Sequence, residues 1–237
     1  KPIITPRFVP SCTSELMTGL AKLAKEYDVP VQSHLSENHG EIDWVASLHP
    51  ESSNYTDVYY EHHLMGTVPT VMAHCIHLSD VEMDRMAETQ TMVSHCPYSN
   101  VNLSSGIAPI RKLIERNIPI GLGSDISGGH IVSMAKVLTE AIGLSKMKWV
   151  EVDKNYAPLT LSEAFYMATK GGGQFFGHVG SFEKGYELDA LIIDDTSLFD
   201  PNERSLEERL ERWLYVGDDR HIIERYVAGR VVPSPKG

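Results

Sequence analysis

The sequence predicts an α/β fold, and three features of the 237-residue chain support this prediction. Short apolar runs alternate with segments of helical periodicity. The links between them are short, as is usual where helical crossovers join parallel strands. Several apolar runs also end in residues that can bind a metal ion. Barrel sites lie at the carboxyl ends of the strands, so this last feature favours a (β/α)8 TIM barrel over a doubly wound sheet.

Five apolar runs are the predicted barrel strands, and helices are predicted between them. The strands cover residues 2–5, 29–33, 70–73, 91–94 and 118–123. The first helix is expected to bury the apolar residues that recur at helical spacing, Leu16, Leu20, Leu23 and Tyr27. Similar spacing predicts helices near residues 42–48, 107–113 and 134–141. Capping boxes predict helix starts at Ser79 and Thr160, and a polar, tyrosine-rich loop is expected before residue 70.

The number of strands predicts an incomplete barrel. A complete barrel of this kind takes about 200 to 250 residues, whereas residues 1–178 supply only five strands. We therefore expect residues 1–178 to form the C-terminal part of a metal-dependent hydrolase barrel, with strands 4–8 present. The first three strands are expected on an N-terminal barrel segment upstream of Lys1, because five strands alone would leave two open parallel edges.

The alternation of single strands with helices ends at about residue 178. Residues 179–237 are predicted to form a small C-terminal β domain with one helix. Short antiparallel strands are expected at residues 179–185, 190–193 and 226–232. A capping box at Ser205 predicts the start of the helix between them.

The composition excludes several function classes. A formal charge of −11 without any Lys/Arg-rich run argues against a nucleic-acid partner. No run approaches the ~20 apolar residues of a membrane span, so no membrane partner is expected. The three cysteines, Cys12, Cys75 and Cys96, have no CxxC spacing and cannot all pair. A reduced, cytoplasmic protein is the simplest explanation.

Four polar residues at or just beyond predicted strand ends have the chemistry of a metal-dependent hydrolase. His34 and His74 follow directly on predicted strands, and Asp125 lies two residues beyond the end of another. A catalytic zinc takes three or four N/O ligands and leaves one position for water, and iron accepts the same ligand types. Glu37 lies three residues beyond His34, where a carboxylate can carry a proton from the activated water to a substrate. A lone histidine is more often a packing residue, but four such residues at strand ends favour a site.

Several motifs together resemble the amidohydrolase superfamily, and the deaminase and chlorohydrolase branch within it. They are Gln32–Asn38 (QSHLSEN), Met72–Cys75 (MAHC), Ser94–Asn100 (SHCPYSN) and Gly121–Asp125 (GLGSD). The run GSFEKG at 180–185, followed by LDA at 188–190, is similar to that superfamily's return into its small β domain. The runs TPRF at 5–8, SEN at 36–38 and LYVGDDR at 214–220 narrow the resemblance to members that act on guanine.

The resemblance implies hydrolytic deamination of guanine to xanthine and ammonia, by a homodimer with one zinc ion per subunit. His34 resembles the fifth-strand metal ligand, and Asp125 resembles the eighth-strand ligand and proton acceptor. Glu37 resembles the proton shuttle. His74 resembles the sixth-strand histidine, a catalytic residue that steers the attacking water or the substrate rather than always binding the metal.

The resemblance also implies a binding site for the purine. Arg7 and Phe8 resemble the pair that holds guanine, and His34, Glu37 and Asp125 are expected to face the same substrate. A guanidinium fork suits purine acceptor atoms, and an aromatic face suits the ring. Without the resemblance, a surface ion pair would be the expected role of Arg7.

One feature of the superfamily is missing from the sequence. Its first barrel strand carries a His-x-His pair that supplies two further ligands, and no His-x-His occurs in the 237 residues. His62 and His63 are adjacent and are expected to be solvated, so the missing pair is expected on the upstream segment. Two alternatives stay open: another aminohydrolase or a chlorohydrolase of the same branch, and a non-catalytic fragment or interaction module.

Overall fold

The computed structural model describes residues 2–233, which contain one parallel and one antiparallel sheet. The parallel strands are β1 Val31–Leu35, β2 Thr70–His74, β3 Met92–His95 and β4 Ile120–Leu122. The helices are α1 Ser14–Glu26, α2 His39–Leu48, α3 Tyr55–Glu61, α4 Asp80–Glu88, α5 Pro97–Asn102, α6 Ile110–Glu115, α7 Met134–Glu151, α8 Leu161–Tyr166 and α9 Leu206–Val216. The antiparallel strands are β5 Ala190–Ile193, β6 Ile222–Val227 and β7 Arg230–Val231. No helix within residues 2–233 has the length and apolar content that a membrane crossing requires. The ends of the two predicted domains, residue 1 and residues 234–237, lie outside the described residues.

The parallel sheet has the strand order β1–β2–β3–β4, which is also the chain order. Each strand pairs in parallel with the next, so that Val31 lies opposite Thr70 and Val93 lies opposite Ile120. All four carboxyl ends therefore meet at one edge of the sheet. This confirms the parallel α/β arrangement that the alternation of strands and helices predicts.

The predicted strand at residues 2–5 is reduced to a single bridge. Ile4 pairs in parallel with Val31, its amide donates to Pro30 O (2.9 Å), and its carbonyl accepts from Gln32 N (2.9 Å). Proline lacks the amide proton that a strand ladder needs, and proline stands at both Pro2 and Pro6. The segment still follows β1 and carries the next residues, including Arg7, towards the carboxyl edge.

Helix α1 forms where predicted but buries a different face. Met17, Ala21 and Ala24 are buried, whereas Leu16, Leu23 and Tyr27 are 47%, 42% and 66% exposed. Of the four residues predicted to be buried, Leu20 is partly buried and packs against the core. The two faces are neighbouring stripes of the same helix, about 100° apart. Spacing alone favoured the larger leucines, whereas the core takes Met17 and the two alanines.

The predicted polar, tyrosine-rich loop contains helix α3, and this prediction was wrong. Asn54 caps the helix by accepting from Asp57 N (2.8 Å). The rings of Tyr55 and Tyr59 are buried and stacked with centroids 5.6 Å apart. Their hydroxyls are satisfied inside the protein, with Tyr55 donating to Glu41 Oε1 (2.7 Å). A tyrosine-rich segment is therefore compatible with a buried helix when each hydroxyl finds a partner.

The C-terminal part contains the antiparallel sheet and α9. Strand β6 pairs with β5 and β7, and the predicted capping boxes at Ser79, Thr160 and Ser205 are all present. The strand predicted at residues 179–185 is absent. Gly180 and Gly185 have φ angles of +79° and +95°, which interrupt a strand. Helix α9 lies against α7, where Lys136 Nζ donates to Tyr215 O (2.9 Å).

Candidate active site

His34 lies near the carboxyl end of β1, where its neighbours Ser33 and Leu35 are buried. Its Nδ1 donates to the carbonyl oxygen of Arg7 at 2.5 Å. Because a carbonyl can only accept, the proton of the neutral ring lies on Nδ1 and Nε2 keeps its lone pair. The ring is thereby oriented as a metal ligand, with the usual outer hydrogen bond on its second nitrogen.

His74 is the last residue of β2 and is 1% exposed. Its φ angle is +72°, in the left-handed region where histidine is one of the more tolerated residues. Its Nδ1 hydrogen-bonds to Asn100 Oδ1 at 2.9 Å. Its Nε2 faces two carboxylates, at 3.7 Å from Glu37 Oε2 and 4.0 Å from Asp125 Oδ2.

The side chains of His34, His74 and Asp125 converge at the carboxyl edge of the sheet. One ligand atom from each lies within 4.8 Å of the ligand atoms of the other two. The two imidazole rings are stacked, with centroids 5.2 Å apart and planes at 19°. Two imidazoles and one carboxylate form a donor set that suits zinc or iron. The residues present therefore fit the divalent metal ion that the sequence predicts.

A tight loop after β4 presents Asp125 to this group. Asp125 has a φ angle of +45°, and its carbonyl accepts from Gly129 N at 2.6 Å. A Cβ atom at Gly128 would lie 2.7 Å from Asp125 Oδ2. A side chain there would displace the carboxylate that faces the histidines, so glycine leaves Asp125 free to keep this position.

Glu37 follows β1 and lies beside the same group, with 17% of its side chain exposed. Its amide donates to Glu41 Oε2 (2.9 Å), which fixes the backbone at the start of α2. Its Oε1 accepts from Ser105 Oγ at 3.0 Å, while Oε2 is the oxygen nearest His74. The carboxylate can therefore exchange a proton with a group held next to the histidines.

A cavity of about 270 Å³ opens beside Glu37. Its lining includes four of the five predicted substrate residues, Arg7, Phe8, His34 and Glu37. The fifth, Asp125, does not line this cavity. Trp44 from α2 does, with its ring edge-on to Phe8 at 6.0 Å. The cavity offers a guanidinium group and two aromatic rings, which together suit a planar polar heterocycle.

The floor beneath the candidate site is uncharged. His95, the last residue of β3, is fully buried, and burial together with the nearby His74 lowers its pKa to about 3. Burial raises the pKa of the Cys96 thiol to about 12. Both groups are therefore neutral near pH 7.

Three residues of the site were missed by the sequence analysis. Asn100 belongs to the motif at 94–100, which identifies the segment without indicating its bond to His74. Nothing in the sequence distinguishes Ser105 from the other serines, or Trp44 from an exposed residue on a helix. Their roles arise from contacts between segments far apart in the chain, which local patterns do not encode.

Comparison with known proteins shows the relationship directly. The model of the amidohydrolase family matches residues 1–232. Over 239 residues the chain is 44% identical to guanine deaminase of Dictyostelium discoideum, covering 98% of this chain and 53% of that relative. It is 55% identical to the crystal structure of guanine deaminase from C. acetobutylicum with bound guanine in the active site, with a TM-score of 0.95 and coverage of 98% and 55%.

A more distant structure, an adenosine deaminase from Xanthomonas campestris with bound zinc, is 22% identical, has a TM-score of 0.80, and is matched over 97% of this chain and 50% of that one. It shows the shared fold. The chain spans about half the length of the relatives it matches. With its donor group at the carboxyl edge of a parallel sheet and a family match over nearly all of its residues, the chain belongs to the amidohydrolase family.

Proposed function

We propose that the protein hydrolyses guanine to xanthine and ammonia. One observation carries the proposal: His34, His74 and Asp125 converge within 4.8 Å of one another, with Glu37 beside them at the edge of a cavity. The similarity to guanine deaminases, including the C. acetobutylicum structure with guanine bound in its active site, supports guanine as the substrate.

His34 and Asp125 would hold the metal ion, and His74 presents Nε2 to the same space, as a third donor or as the residue that steers the attacking water. We assign zinc, with iron as the alternative that the same donors accept. When bound, such an ion supplies a water molecule acidic enough to ionise near neutral pH. Metal analysis of the purified full-length protein distinguishes the two ions.

Glu37 and Asp125 would move the protons. Glu37 takes a proton from the attacking water and passes it to the purine ring, and its Oε2 faces the donor group from which the water attacks. Asp125 accepts the second proton of that water. The oxygen forms a bond to the amino-bearing carbon, the carbon–nitrogen bond breaks, and ammonia leaves with a proton. A well-placed group of this kind contributes about 10²- to 10⁴-fold to the rate.

Arg7 and Phe8 would recognise the base. In the full-length enzyme, Arg7→Ala is expected to lower kcat/KM for guanine by about 10- to 100-fold, the effect of losing a charged hydrogen bond. Metal content should not change, because the His34 ring is held by the carbonyl of residue 7 rather than by its side chain. Xanthine formation measured against Arg209→Ala, an exposed arginine of the C-terminal part, gives the comparison.

Unchanged guanine turnover in Arg7→Ala would remove the basis for the substrate assignment. Another aminohydrolase or a chlorohydrolase of the same branch would then be the better description, since those enzymes share the metal chemistry. Turnover of other amino- and chloro-substituted ring compounds by the parent protein would identify which.

We further propose that residues 1–178 supply strands 4–8 of a (β/α)8 barrel. The segment around Ile4, which bridges to Val31, would be strand 4, and β1–β4 would be strands 5–8. Residues 179–237 would form a second domain. The His-x-His pair would come from a further barrel segment, and the enzyme would be a homodimer. The open sheet among the described residues and the half-length match to relatives support this arrangement. Three unpaired cysteines support a cytoplasmic location.

Intact mass, light scattering and metal analysis test the assembly together. A mass above the 26.4 kDa of these residues, twice that mass in solution and bound metal are expected. A protein of 26.4 kDa without metal or turnover would instead be the non-catalytic interaction module.

A further inference from the structure

We propose that Ser105 is a positioning residue for Glu37, holding the carboxylate in the orientation in which it transfers protons. The inference rests on the proposed function, because Glu37 must act on a water and a substrate for its orientation to matter. Ser105 lies in the loop after α5, 68 residues from Glu37 in sequence.

The contact between the two side chains is direct and largely shielded from water. Ser105 is 7% exposed, and its hydroxyl donates to Glu37 Oε1 at 3.0 Å. An ionised carboxylate can only accept, so the single hydroxyl proton of Ser105 points at Oε1. The second oxygen, Oε2, lies 3.7 Å from His74 Nε2, which belongs to one of the three candidate metal ligands. The Ser105 hydroxyl thus determines that Oε2, rather than Oε1, is the Glu37 oxygen that faces His74.

Ser105 is itself fixed by a ring of hydrogen bonds that returns to Glu37. Its carbonyl accepts from His77 Nε2 at 2.8 Å. The amide of His77 donates at 3.1 Å to the carbonyl of Ser36, the residue before Glu37. The ring therefore connects the end of β1, the end of β2 and the loop after α5, and it holds Glu37 at both its backbone and its carboxylate.

The same loop also orients His74. The amide of Ser105 donates to Asn100 O at 2.8 Å, and Asn100 Oδ1 bonds the ring of His74. One short segment thereby sets the relative positions of the shuttle and the nearest histidine. Without the hydrogen bond from the Ser105 hydroxyl, the Glu37 side chain could adopt other rotamers. A catalytic group misplaced by about 1 Å can lower the rate by about 100-fold.

The expected kinetic effect is on kcat. In the metal-loaded full-length enzyme, Ser105→Ala should lower kcat for guanine by about 10- to 100-fold. KM should change by less than about 3-fold, because Arg7 and Phe8 hold the base independently of Glu37. Metal content should match the parent. Ser145→Ala is the matched control, since it removes another buried serine hydroxyl, one whose partners are Leu159 N and Ile142 O rather than residues of the candidate site. It should leave kcat unchanged.

A double-mutant cycle shows whether Ser105 acts through Glu37. Adding Ser105→Ala to Glu37→Gln should cost less than about 3-fold further, because the group that the hydroxyl positions has already lost its function. Equal losses in both backgrounds would show a general structural effect and would overturn the proposal. So would a kcat loss that follows metal loss, or one that Ser145→Ala reproduces.

A second pair of variants covers the case in which Ser105→Ala folds poorly. Ser105→Thr and Ser105→Val have nearly the same shape and differ in the hydroxyl. The threonine variant should keep at least about 5 times more kcat than the valine variant. Equal kcat values would overturn the proposal. A parent enzyme without guanine turnover would instead end the proposed function itself, so the two failures are distinguishable.

Discussion

Two regions of the molecule bring histidine, carboxylate and serine side chains together, and only one of them is suited to catalysis. At the carboxyl edge of the parallel sheet, His34, His74 and Asp125 converge from three strand ends. In the C-terminal part, His221 Nε2 lies 3.2 Å from Ser197 Oγ, and His221 Nδ1 lies 3.3 Å from Asp218 Oδ1. The second cluster borders a larger cavity, of about 410 Å³.

The difference lies in what each histidine nitrogen contacts. The Nδ1 atoms of His34 and His74 face oxygen acceptors, so the Nε2 atoms keep their lone pairs for a metal or a proton. In the C-terminal cluster the amide of Asp218 donates to His221 Nδ1 at 3.1 Å. The same nitrogen also lies 3.2 Å from Asp218 O and 3.3 Å from Asp218 Oδ1, so His221 Nδ1 faces one donor and two acceptors, and its contacts do not fix which ring nitrogen carries the proton.

The carboxylates of the two clusters also differ in their partners. Asp218 is engaged by the guanidinium of Arg220, with Arg220 Nε 3.0 Å from Oδ1, and this contact holds the pKa of that carboxyl well below its usual range. Glu37 and Asp125 have no arginine partner among the described residues, and each turns an oxygen towards His74. The comparison teaches that residue types alone do not define a site. The partners of each nitrogen and oxygen decide its chemistry.

The largest expected effect separates the two clusters by activity. Glu37→Gln should lower guanine turnover by about 10²- to 10⁴-fold, because the amide cannot relay a proton, while the bound metal is retained. Ser197→Ala should leave turnover at the parent value. Steady-state kinetics with metal analysis measures both. Loss of metal along with activity in Glu37→Gln would make Glu37 a ligand rather than a shuttle, and a large loss in Ser197→Ala would give the C-terminal cluster a catalytic part.

A smaller effect is expected from the outer partner of His74. Asn100→Ala removes the oxygen that fixes Nδ1, and such outer contacts typically contribute about 10- to 100-fold in metal affinity or activity. Titration of the metal-free protein with zinc, followed by guanine turnover, measures this effect. Asp218→Asn, which alters a carboxylate beside the other histidine, is the matched control. If both variants behave like the parent, the orientation of His74 does not depend on Asn100.

The sequence predicted the donor residues because strand ends are local features. An apolar run followed by His34, His74 or Asp125 fixes where each side chain emerges, and parallel pairing then brings the ends to one edge. The capping boxes at Ser79, Thr160 and Ser205 were predicted for the same reason, since each depends on residues only three positions apart.

The features that were missed depend on contacts between distant segments. The buried face of α1 is decided by what packs against it, and small Ala21 and Ala24 gave a weaker pattern than the exposed leucines. Tyr55 was expected in a polar loop because its hydroxyl partner, Glu41, lies on a different helix. The role of Ser105 could not be predicted for the same reason, since the side-chain contact that distinguishes it is to Glu37, 68 residues away in the chain.

Ion pairs extend the comparison to stability, and here the two regions offer a matched pair. Arg111 donates to both carboxylate oxygens of Glu163, at 2.7 and 2.9 Å, and Arg209 does the same to Asp195, at 2.7 and 2.8 Å. The distances are nearly identical, although Arg111 donates from Nη1 and Nη2 and Arg209 donates from Nε and Nη2. The Arg111 side chain is 14% exposed and that of Arg209 is 52% exposed. Water screens the second pair more strongly, so its contribution to stability should be smaller.

The smallest predicted effect tests this difference in burial. The hydrogen bond from Arg111 lowers the pKa of Glu163 from 4.5 to about 2. A carboxyl group whose pKa is lower in the folded state stabilises the protein above its unfolded pKa, and this contribution is lost as the pH falls towards the folded value. Glu163→Gln keeps an acceptor for the α8 cap but loses the charge. It should lower the free energy of unfolding by about 1–2 kcal/mol near pH 7, after allowance for screening.

Urea unfolding of the full-length protein at several pH values measures this contribution. The gap between parent and Glu163→Gln should be constant above pH 4.5 and should narrow as the pH falls from 4.5 towards about 2. Asp195→Asn should match the parent within experimental error across the same range, although the hydrogen bond from Arg209 also lowers the pKa of Asp195. An equal cost for both variants would mean that bidentate geometry, rather than burial, determines the strength of these pairs. In that event the ion pair on the exposed C-terminal surface would stabilise the protein as strongly as the pair beside the parallel sheet.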